Sequence, residues 1–176
     1  MLIKTIFAGF GGQGVLSMGL NLAQAAMLEG KEVTYLPAYG AEVRGGTANC
    51  TVSISDEEIA SPVASSPEFI VALNQPSLVR FQNQIQSGGL FFINSSITEA
   101  ITSRGDIELV EVPASEMAEK MGNPKGVNTV MLGAFIKKSN LVSLDNLMKA
   151  LEDSFKKKPK LIDINKKALK EGYDLF

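Results

Sequence analysis

The transition from strand to helix at residues 6–19, IFAGFGGQGVLSMG, constrains the fold more than any other feature of the sequence. Its glycines Gly9, Gly11 and Gly14 have the spacing G-x-G-x-x-G, which marks the tight turn of dinucleotide-binding folds. An apolar, β-rich run precedes the glycines, and a run of helix-forming residues follows them. Such a β-loop-α unit predicts a Rossmann-like start to the chain, but the spacing alone does not identify a ligand.

Runs typical of strands and of helices alternate along the rest of the chain, separated by glycine, proline and polar residues. Strands are predicted over 2–10, 32–37, 49–55, 68–74, 90–94 and 107–113. Helices are predicted over 15–29, 75–86, 115–122, 126–139, 143–158 and 160–176. This alternation predicts an α/β fold of three layers, α/β/α, with a mainly parallel sheet covered by helices on both faces. Because the sequence shows no repeat or linker, residues 1–176 are predicted to form a single domain.

The charge distribution argues against a nucleic-acid-binding protein. The 176 residues carry a formal net charge of −2, with 45% hydrophobic and 20% charged residues, as in folded globular proteins. Residues 1–136 hold 7 basic and 13 acidic side chains, whereas residues 137–176 hold 10 basic and 6 acidic ones. Two interpretations of the basic end stay open: an attraction for an anionic partner or, more simply, a solvated lysine face.

The rarity of two residue types excludes several kinds of active site. The chain has no histidine, which excludes histidine as a general acid or base and as a metal ligand. It has one cysteine, Cys50, so it cannot by itself ligate an iron–sulfur cluster or a structural zinc. We therefore predict no catalytic residue and no metal site in this chain. A single cysteine also fits a reducing compartment, and we predict a cytoplasmic protein without a signal peptide or membrane span.

The dinucleotide interpretation of the glycine turn requires a carboxylate about 20 residues later, at the end of the second strand, to bind a ribose. That strand ends in TYLPAYG; Glu29 and Glu32 flank its start, and Glu42 lies beyond it in a loop. Three alternatives therefore stay open: NAD or FAD binding, a turn needed only for packing, and an edge that an anion or a partner protein approaches.

A second glycine-rich loop, YGAEVRGG at residues 39–46, follows the second strand. Because loops that follow parallel strands leave the same edge of a sheet, we expect the two glycine loops to be neighbours. Arg44 is suited to bind phosphate or carboxylate, since its guanidinium donates hydrogen bonds in a planar fork. The alternative is a surface ion pair between Arg44 and Glu42.

Three separated motifs in order resemble those of one protein family. GFGGQGV at 10–16, YGAEVRGG at 39–46 and ALNQPSL at 72–78 are similar to the gamma subunit of 2-oxoacid:ferredoxin oxidoreductases. This family acts on pyruvate, 2-oxoglutarate or branched-chain 2-oxoacids. The resemblance covers essentially the whole chain and is nearer the 2-oxoglutarate and 2-oxoisovalerate types.

The resemblance implies a subunit rather than a complete enzyme. Such a complex decarboxylates a 2-oxoacid with thiamine diphosphate and Mg, passes electrons through iron–sulfur clusters to ferredoxin, and transfers the acyl group to coenzyme A. The thiamine cofactor and the clusters belong to the alpha, beta and delta subunits, so the isolated chain is predicted to be inactive and could form a homodimer. By motif match, the residues that would face the partner or coenzyme A are Gly11, Gly12, Gln13, Gly14, Tyr39, Gly40, Glu42, Arg44, Gly45 and Gly46.

Two other functions stay open from the residues alone. The first is a stand-alone, Rossmann-like protein that binds a dinucleotide. The second is a non-catalytic interaction module, in which the glycine loops and the segment NQPSLVRF at 74–81 dock a partner. A simpler interpretation of NQPSL is the end of a strand and the start of a helix, with Pro76 in its first turn.

Overall fold

The structure, a computed structural model, describes residues 1–39, 46–99 and 104–176. Its strands are β1 (Leu2–Phe10), β2 (Glu32–Tyr39), β3 (Thr47–Ser55), β4 (Phe69–Ala72), β5 (Leu90–Asn94) and β6 (Glu108–Val112). Its helices are α1 (Val15–Leu28), α2 (Gln75–Phe81), α3 (Ala114–Lys120), α4 (Val127–Ser139), α5 (Leu144–Ser154) and α6 (Ile162–Tyr173). Short 3₁₀ turns at Pro124–Gly126 and Pro159–Leu161 precede α4 and α6.

The described strands form one mixed sheet in the order β2-β3-β1-β4-β5-β6. β1, β4, β5 and β6 pair in parallel, each with the next. β3 is antiparallel to both of its neighbours, β1 and β2. Five of the six strands therefore point the same way, which confirms the predicted α/β fold with a mainly parallel sheet.

The second strand is longer than the sequence predicts. It was expected to end at Pro37, but β2 continues to Tyr39. β2 lies at the edge of the sheet, where proline is tolerated because its missing N–H can face away from the neighbouring strand. β3 begins at Thr47, two residues before its predicted start at Asn49. The earlier start matches the longer β2, because Tyr39 at the end of β2 pairs with Ala48 of β3.

The two faces of the sheet are covered unequally. The larger core cluster joins one face to buried residues of α1, α3, α4, α5 and α6. The smaller cluster joins the other face to α2, Ile85 and Ala64. The segment 56–67 crosses this second face, where Lys4 Nζ donates hydrogen bonds to the carbonyl oxygens of Ser61 (3.1 Å) and Val63 (2.5 Å).

Phe135 of α4 forms the centre of the larger core. Its ring makes edge-to-face contacts with Phe7 of β1, Phe69 of β4 and Phe92 of β5, at centroid distances of 5.4, 5.6 and 5.4 Å. Such pairs add about 0.5–1.5 kcal/mol each to the burial of their area. One helix residue thus packs against three neighbouring strands, β1, β4 and β5.

Candidate functional site

The first glycine turn, residues 11–14, joins β1 to α1 with two residues in the left-handed region. Gly12 has φ +94° and Gly14 has φ +76°, values that favour glycine. Gly14 is the N-cap of α1, and no side chain caps this helix end. The amide groups of the first turn of α1 are therefore left to a ligand, a partner or solvent.

Gly9 is required for a different reason, close packing. A Cβ atom at this position would lie 2.7 Å from both Gln13 Oε1 and Val15 Cγ2. At Gly12, by contrast, a Cβ atom would meet no described atom within 4 Å. The absence of a side chain at Gly12 therefore serves its backbone conformation and leaves the turn open to an approaching molecule.

The two glycine loops meet, as the sequence predicts. The Gly11 amide donates a hydrogen bond to the Gly46 carbonyl oxygen at 2.9 Å. β1 and β2 both end at this edge of the sheet, and β3 begins there, with Thr47 paired to Phe10. We call the described residues of this region, Gly11 to Gly14, Tyr39 and Gly46, the glycine edge.

Four of the predicted site residues lie outside the described residues: Gly40, Glu42, Arg44 and Gly45. Their roles stay predictions from the sequence. The described parts on either side of them, Tyr39 and Gly46, lie at the end of β2 and just before β3.

A cleft of about 370 Å³ lies along the glycine edge. It is lined by the turn itself, by Leu16 and Ser17 of the first turn of α1, and by Tyr39. The Tyr39 side chain is 72% exposed, which is unusual for a large aromatic residue outside a binding surface. The cleft thus combines free backbone donors with one exposed aromatic ring.

The Gln13 side chain forms hydrogen bonds within the protein. Its Oε1 accepts hydrogen bonds from the Phe10 amide at 2.7 Å and from Asn74 Nδ2 at 2.9 Å. The side-chain oxygen therefore joins the end of β1 to the start of α2. The structure gives Gln13, included among the predicted partner-facing residues, an internal structural contact.

Asn74 is a site residue that sequence reasoning missed. It is 4% exposed and caps α2, where its Oδ1 accepts a hydrogen bond from the Ser77 amide at 3.0 Å. Pro76 lies in the first turn of α2, which confirms the interpretation of NQPSL as a strand end followed by a helix start. The sequence signal that could have identified this cap is an asparagine two residues before a proline, since both residue types are favoured at a helix N-terminus.

The Gln13–Asn74 hydrogen bond spans the gap between the carboxyl ends of β1 and β4. This gap is the topological switch point of the sheet, because the chain continues from β1 towards one edge and from β4 towards the other. Ligands of open α/β sheets bind in that crevice. A side-chain bridge across it does not favour a dinucleotide bound in the usual Rossmann manner.

Replacing Gln13 with leucine is expected to lower the free energy of unfolding by about 2 kcal/mol. The variant leaves the Phe10 amide and the Asn74 carboxamide without their acceptor, and a buried group left unpaired costs about 1–3 kcal/mol. Urea denaturation followed by circular dichroism measures the loss. A Gln84→Leu variant, at an exposed position shortly after α2, is the control, and equal stability of both variants would contradict the bridging role.

Asn128, at the start of α4, fixes the other side of the glycine turn. Its Nδ2 donates to the Gly14 carbonyl oxygen at 3.3 Å, and a Cβ atom at Gly14 would lie 2.4 Å from that nitrogen. On the far side, Asn94 Nδ2 at the end of β5 donates to Ser115 Oγ at 2.8 Å. Carboxamides thus tie together the loops at the carboxyl ends of the parallel strands.

The described residues offer no reactive thiol and no metal centre at this edge. Cys50 is fully buried, its Sγ lies 3.6 Å from the Val15 carbonyl oxygen, and burial raises the pKa of its thiol to about 12. Within the described ranges, no group of three His, Cys, Asp or Glu side chains could hold a metal ion. None of the helices in those ranges is long and apolar enough to cross a membrane.

Comparisons with known proteins agree with the motifs. The family model described as pyruvate ferredoxin/flavodoxin oxidoreductase matches residues 4–175. Ketoisovalerate oxidoreductase subunit VorA of Methanothermobacter thermautotrophicus is 45% identical over 97% of this chain, which covers 35% of that relative. The 2-oxoglutarate synthase subunit KorC of Methanocaldococcus jannaschii is 33% identical over 96% of this chain and 90% of its own length.

A solved structure has the same fold. The 2-oxoglutarate:ferredoxin oxidoreductase of Magnetococcus marinus, with 2-oxoglutarate, coenzyme A and succinyl-CoA bound, superposes with a TM-score of 0.91 at 26% identity. The match covers 99% of this chain and 31% of that one. The chain thus spans about a third of the length of VorA and of the Magnetococcus chain, but nearly all of KorC. The family model and the relatives confirm the resemblance of the three motifs, and the chain belongs to the pyruvate ferredoxin/flavodoxin oxidoreductase family.

Proposed function

We propose that this chain is the gamma subunit of a 2-oxoacid:ferredoxin oxidoreductase, and that its glycine edge docks against the subunits that carry the catalytic cofactors. The observation that carries the proposal is the Gly11–Gly46 hydrogen bond, since it joins two loops into one exposed edge. That edge presents backbone donors and an aromatic ring, but its described lining holds no carboxylate, lysine or cysteine, and the described residues hold no metal ligand set. Such a surface is suited to complete a site that other chains supply.

The substrate of the complex is proposed to be a branched-chain 2-oxoacid, with 2-oxoglutarate as the alternative. The identity to VorA, a ketoisovalerate oxidoreductase subunit, is 45%, against 33% to the KorC subunit of a 2-oxoglutarate synthase. The residues that distinguish these acids are proposed to lie on the partner chains, because no described cationic side chain lines the cleft at the glycine edge to pair with a substrate carboxylate.

Coenzyme A is proposed to approach the glycine edge. The fit rests on the free amide groups at the N-terminus of α1, since such helix ends bind phosphate, and on the absence of acidic side chains among the described residues of the cleft. A relative, the Magnetococcus oxidoreductase, has coenzyme A bound. Thiamine diphosphate, Mg and the iron–sulfur clusters are assigned to the alpha, beta and delta subunits.

Affinity purification from the native cell tests the assignment. The tagged chain is expected to retain larger partner chains, identified by mass spectrometry, through a contact of more than about 1,200 Å². The complex should reduce ferredoxin when given a branched-chain 2-oxoacid and coenzyme A, and the isolated chain should not. Turnover by the isolated chain, or purification without partner chains, would contradict the proposal.

An Arg44→Ala variant is expected to lower the activity of the complex at least tenfold without changing the melting temperature of the chain. The guanidinium is suited to an anionic partner group, and a hydrogen bond to a charged group contributes about 1.5–3 kcal/mol. Steady-state kinetics of the reconstituted complex measure the effect, with Arg80→Ala on α2 as the matched control. Normal turnover of the Arg44 variant would remove the role proposed for this residue.

A further inference from the structure

The turn between α5 and α6 carries the largest cluster of like charges in the sequence. Residues 155–162 read FKKKPKLI, with four lysines and no carboxylate. All four lysines are exposed, and none of them is in an ion pair with another described residue. We call Lys156, Lys157, Lys158 and Lys160 the lysine turn. None of the functions considered above uses it.

Backbone hydrogen bonds hold the lysine turn in one conformation. The Lys158 amide donates to the Phe155 carbonyl oxygen at 2.7 Å, and the Leu161 amide donates to the Lys158 carbonyl oxygen at 2.9 Å. Asn165 Nδ2 of α6 donates to the Leu161 carbonyl oxygen at 2.8 Å. The four lysines therefore extend from an ordered turn, which presents their charges from fixed backbone positions.

Carboxylates neutralise other lysines on the neighbouring helices but not those of the lysine turn. Lys166 Nζ lies 2.5 Å from Glu152 Oε2, and Lys170 Nζ lies 2.6 Å from Asp174 Oδ2. Four like charges within five residues repel one another, and the repulsion is relieved when an anionic group comes close. The lysine turn thus has a surplus of positive charge that is suited to an anionic partner.

The charge of the rest of the chain limits the size of that partner. Residues 1–136 hold 7 basic and 13 acidic side chains, and the whole chain has a formal net charge of −2. A long polyanion such as a nucleic acid would meet repulsion beyond the lysine turn. A compact acidic protein that contacts only this turn would not.

The lysine turn also differs from a pocket for a small anion. None of its four lysines lines the clefts to which the glycine turn contributes. Next to the lysines, Leu161 is 40% exposed and adds an apolar contact. An apolar centre with charged surroundings is the usual composition of a protein–protein contact.

We propose that the lysine turn docks an acidic iron–sulfur electron carrier of the ferredoxin class. The inference rests on the proposed function, which makes ferredoxin the electron acceptor. A cluster bound by cysteine thiolates has a net negative charge, which a cationic surface attracts. Contacts between redox partners are small, below about 1,200 Å², so one turn can supply much of the contact.

The lysine turn has a positioning role in this proposal. The chain has a single cysteine and holds no cluster of its own, so the electron passes from a cluster of a partner subunit to the cluster of ferredoxin. The lysines increase the rate of encounter and orient ferredoxin beside the subunit that donates the electron. Electrostatic steering of this kind raises association rates by about 10–1,000-fold and weakens with ionic strength.

Steady-state kinetics of the complex test the proposal. The variant K156Q/K157Q/K158Q/K160Q is expected to raise the KM for ferredoxin at least tenfold at low ionic strength. The KM values for the 2-oxoacid and coenzyme A, and the rate with methyl viologen as a small acceptor, should stay within twofold of the wild type. At about 1 M salt, where the screening length is about 3 Å, wild type and variant should have similar KM values for ferredoxin.

Two controls separate the charge of the lysine turn from the charge of the whole chain. The matched variant K156R/K157R/K158R/K160R keeps the charge and should keep the wild-type KM for ferredoxin. The second control removes four lysines from other surfaces, K31Q/K120Q/K137Q/K138Q, and should change this KM by less than twofold.

Three results would overturn the inference: an unchanged KM for ferredoxin in the glutamine variant of the lysine turn, an equal rise in the second control, or a rise in the KM for coenzyme A instead. Failure of the proposed function would appear separately, as a complex that reduces neither ferredoxin nor methyl viologen. Binding of ferredoxin to the immobilised full chain needs no turnover and then decides. Equal binding by the wild type and the glutamine variant would overturn the inference.

Discussion

Replacing Gly133 with alanine is expected to lower the free energy of unfolding by about 3 kcal/mol, because α4 and α6 are in backbone contact at this position. A Cβ atom at residue 133 would lie 2.0 Å from the carbonyl oxygen of Leu169, and one at Gly172 would lie 2.0 Å from that of Val130. The clashing atoms belong to backbone in the middle of helices, so they cannot move aside as a side-chain end could. Forcing extra volume into a packed core costs about 1–3 kcal/mol.

The direction of the stability change in Gly133→Ala distinguishes a backbone clash from an ordinary replacement of glycine by alanine in a helix. In an ordinary helix interior, a change from glycine to alanine stabilises by about 1 kcal/mol. Gly105→Ala is the control, because a Cβ atom there meets no described atom within 4 Å and the residue has no positive φ. Urea denaturation should show a lower midpoint for Gly133→Ala only. A midpoint at or above that of the wild type would mean that the two helices can separate at little cost.

Replacing Tyr39 with glutamate is expected to weaken the retention of partner chains at least thirtyfold while leaving the chain folded. Tyrosine is enriched among the few interface residues that contribute about 2 kcal/mol or more, and the glutamate would also be buried as an unpaired charge. Tyr39 as a whole residue is 72% exposed, so the loss of its side chain removes little internal packing. Binding of the variant to immobilised partner subunits, measured by interferometry, gives the change in Kd.

Val79→Glu is the matched control for Tyr39→Glu. Val79 is also a large exposed apolar residue, at 56% exposure, but it belongs to α2 on the opposite face of the sheet. Its replacement should leave partner binding within twofold of the wild type. If both variants lose binding equally, the docking surface extends well beyond the glycine edge; if neither does, the glycine edge is not the docking surface.

Local signals made most of the secondary structure predictable. The glycine cluster separates β1 from α1, and the observed helix Val15–Leu28 ends one residue before the predicted end. The predicted helix over 143–158 starts at Ser143, and Ser143 is the N-cap of α5, where its Oγ accepts the Asn146 amide at 3.3 Å. These features depend on neighbours within a few residues, which is the range that a sequence pattern reports.

Features that depend on distant partners were not predictable. The predicted strands 32–37 and 49–55 are separated by 11 residues, close to the length at which a crossover to a parallel strand becomes possible. The observed β2 and β3 extend to Tyr39 and from Thr47, so only the seven residues 40–46 separate them and an antiparallel hairpin results. The predicted helix 75–86 ends at Phe81, because the following residues turn to pack Ile85 against the sheet. Likewise, one of the two hydrogen bonds that Gln13 Oε1 accepts comes from Asn74, which is 61 residues away in the sequence.

The carboxamide oxygen of Gln13 has a mechanical consequence for α2. It joins the last amide of β1 to Asn74, the residue that caps α2, so a molecule that pulls the glycine turn outwards and breaks the Gln13–Asn74 hydrogen bond removes one of the two bonds that orient the cap side chain. The Ser77 amide proton, held by a less firmly oriented acceptor, is then expected to exchange faster with deuterated solvent. We therefore expect occupancy of this end of the sheet to alter an amide of a helix on the other face, where isotope labelling can detect the change.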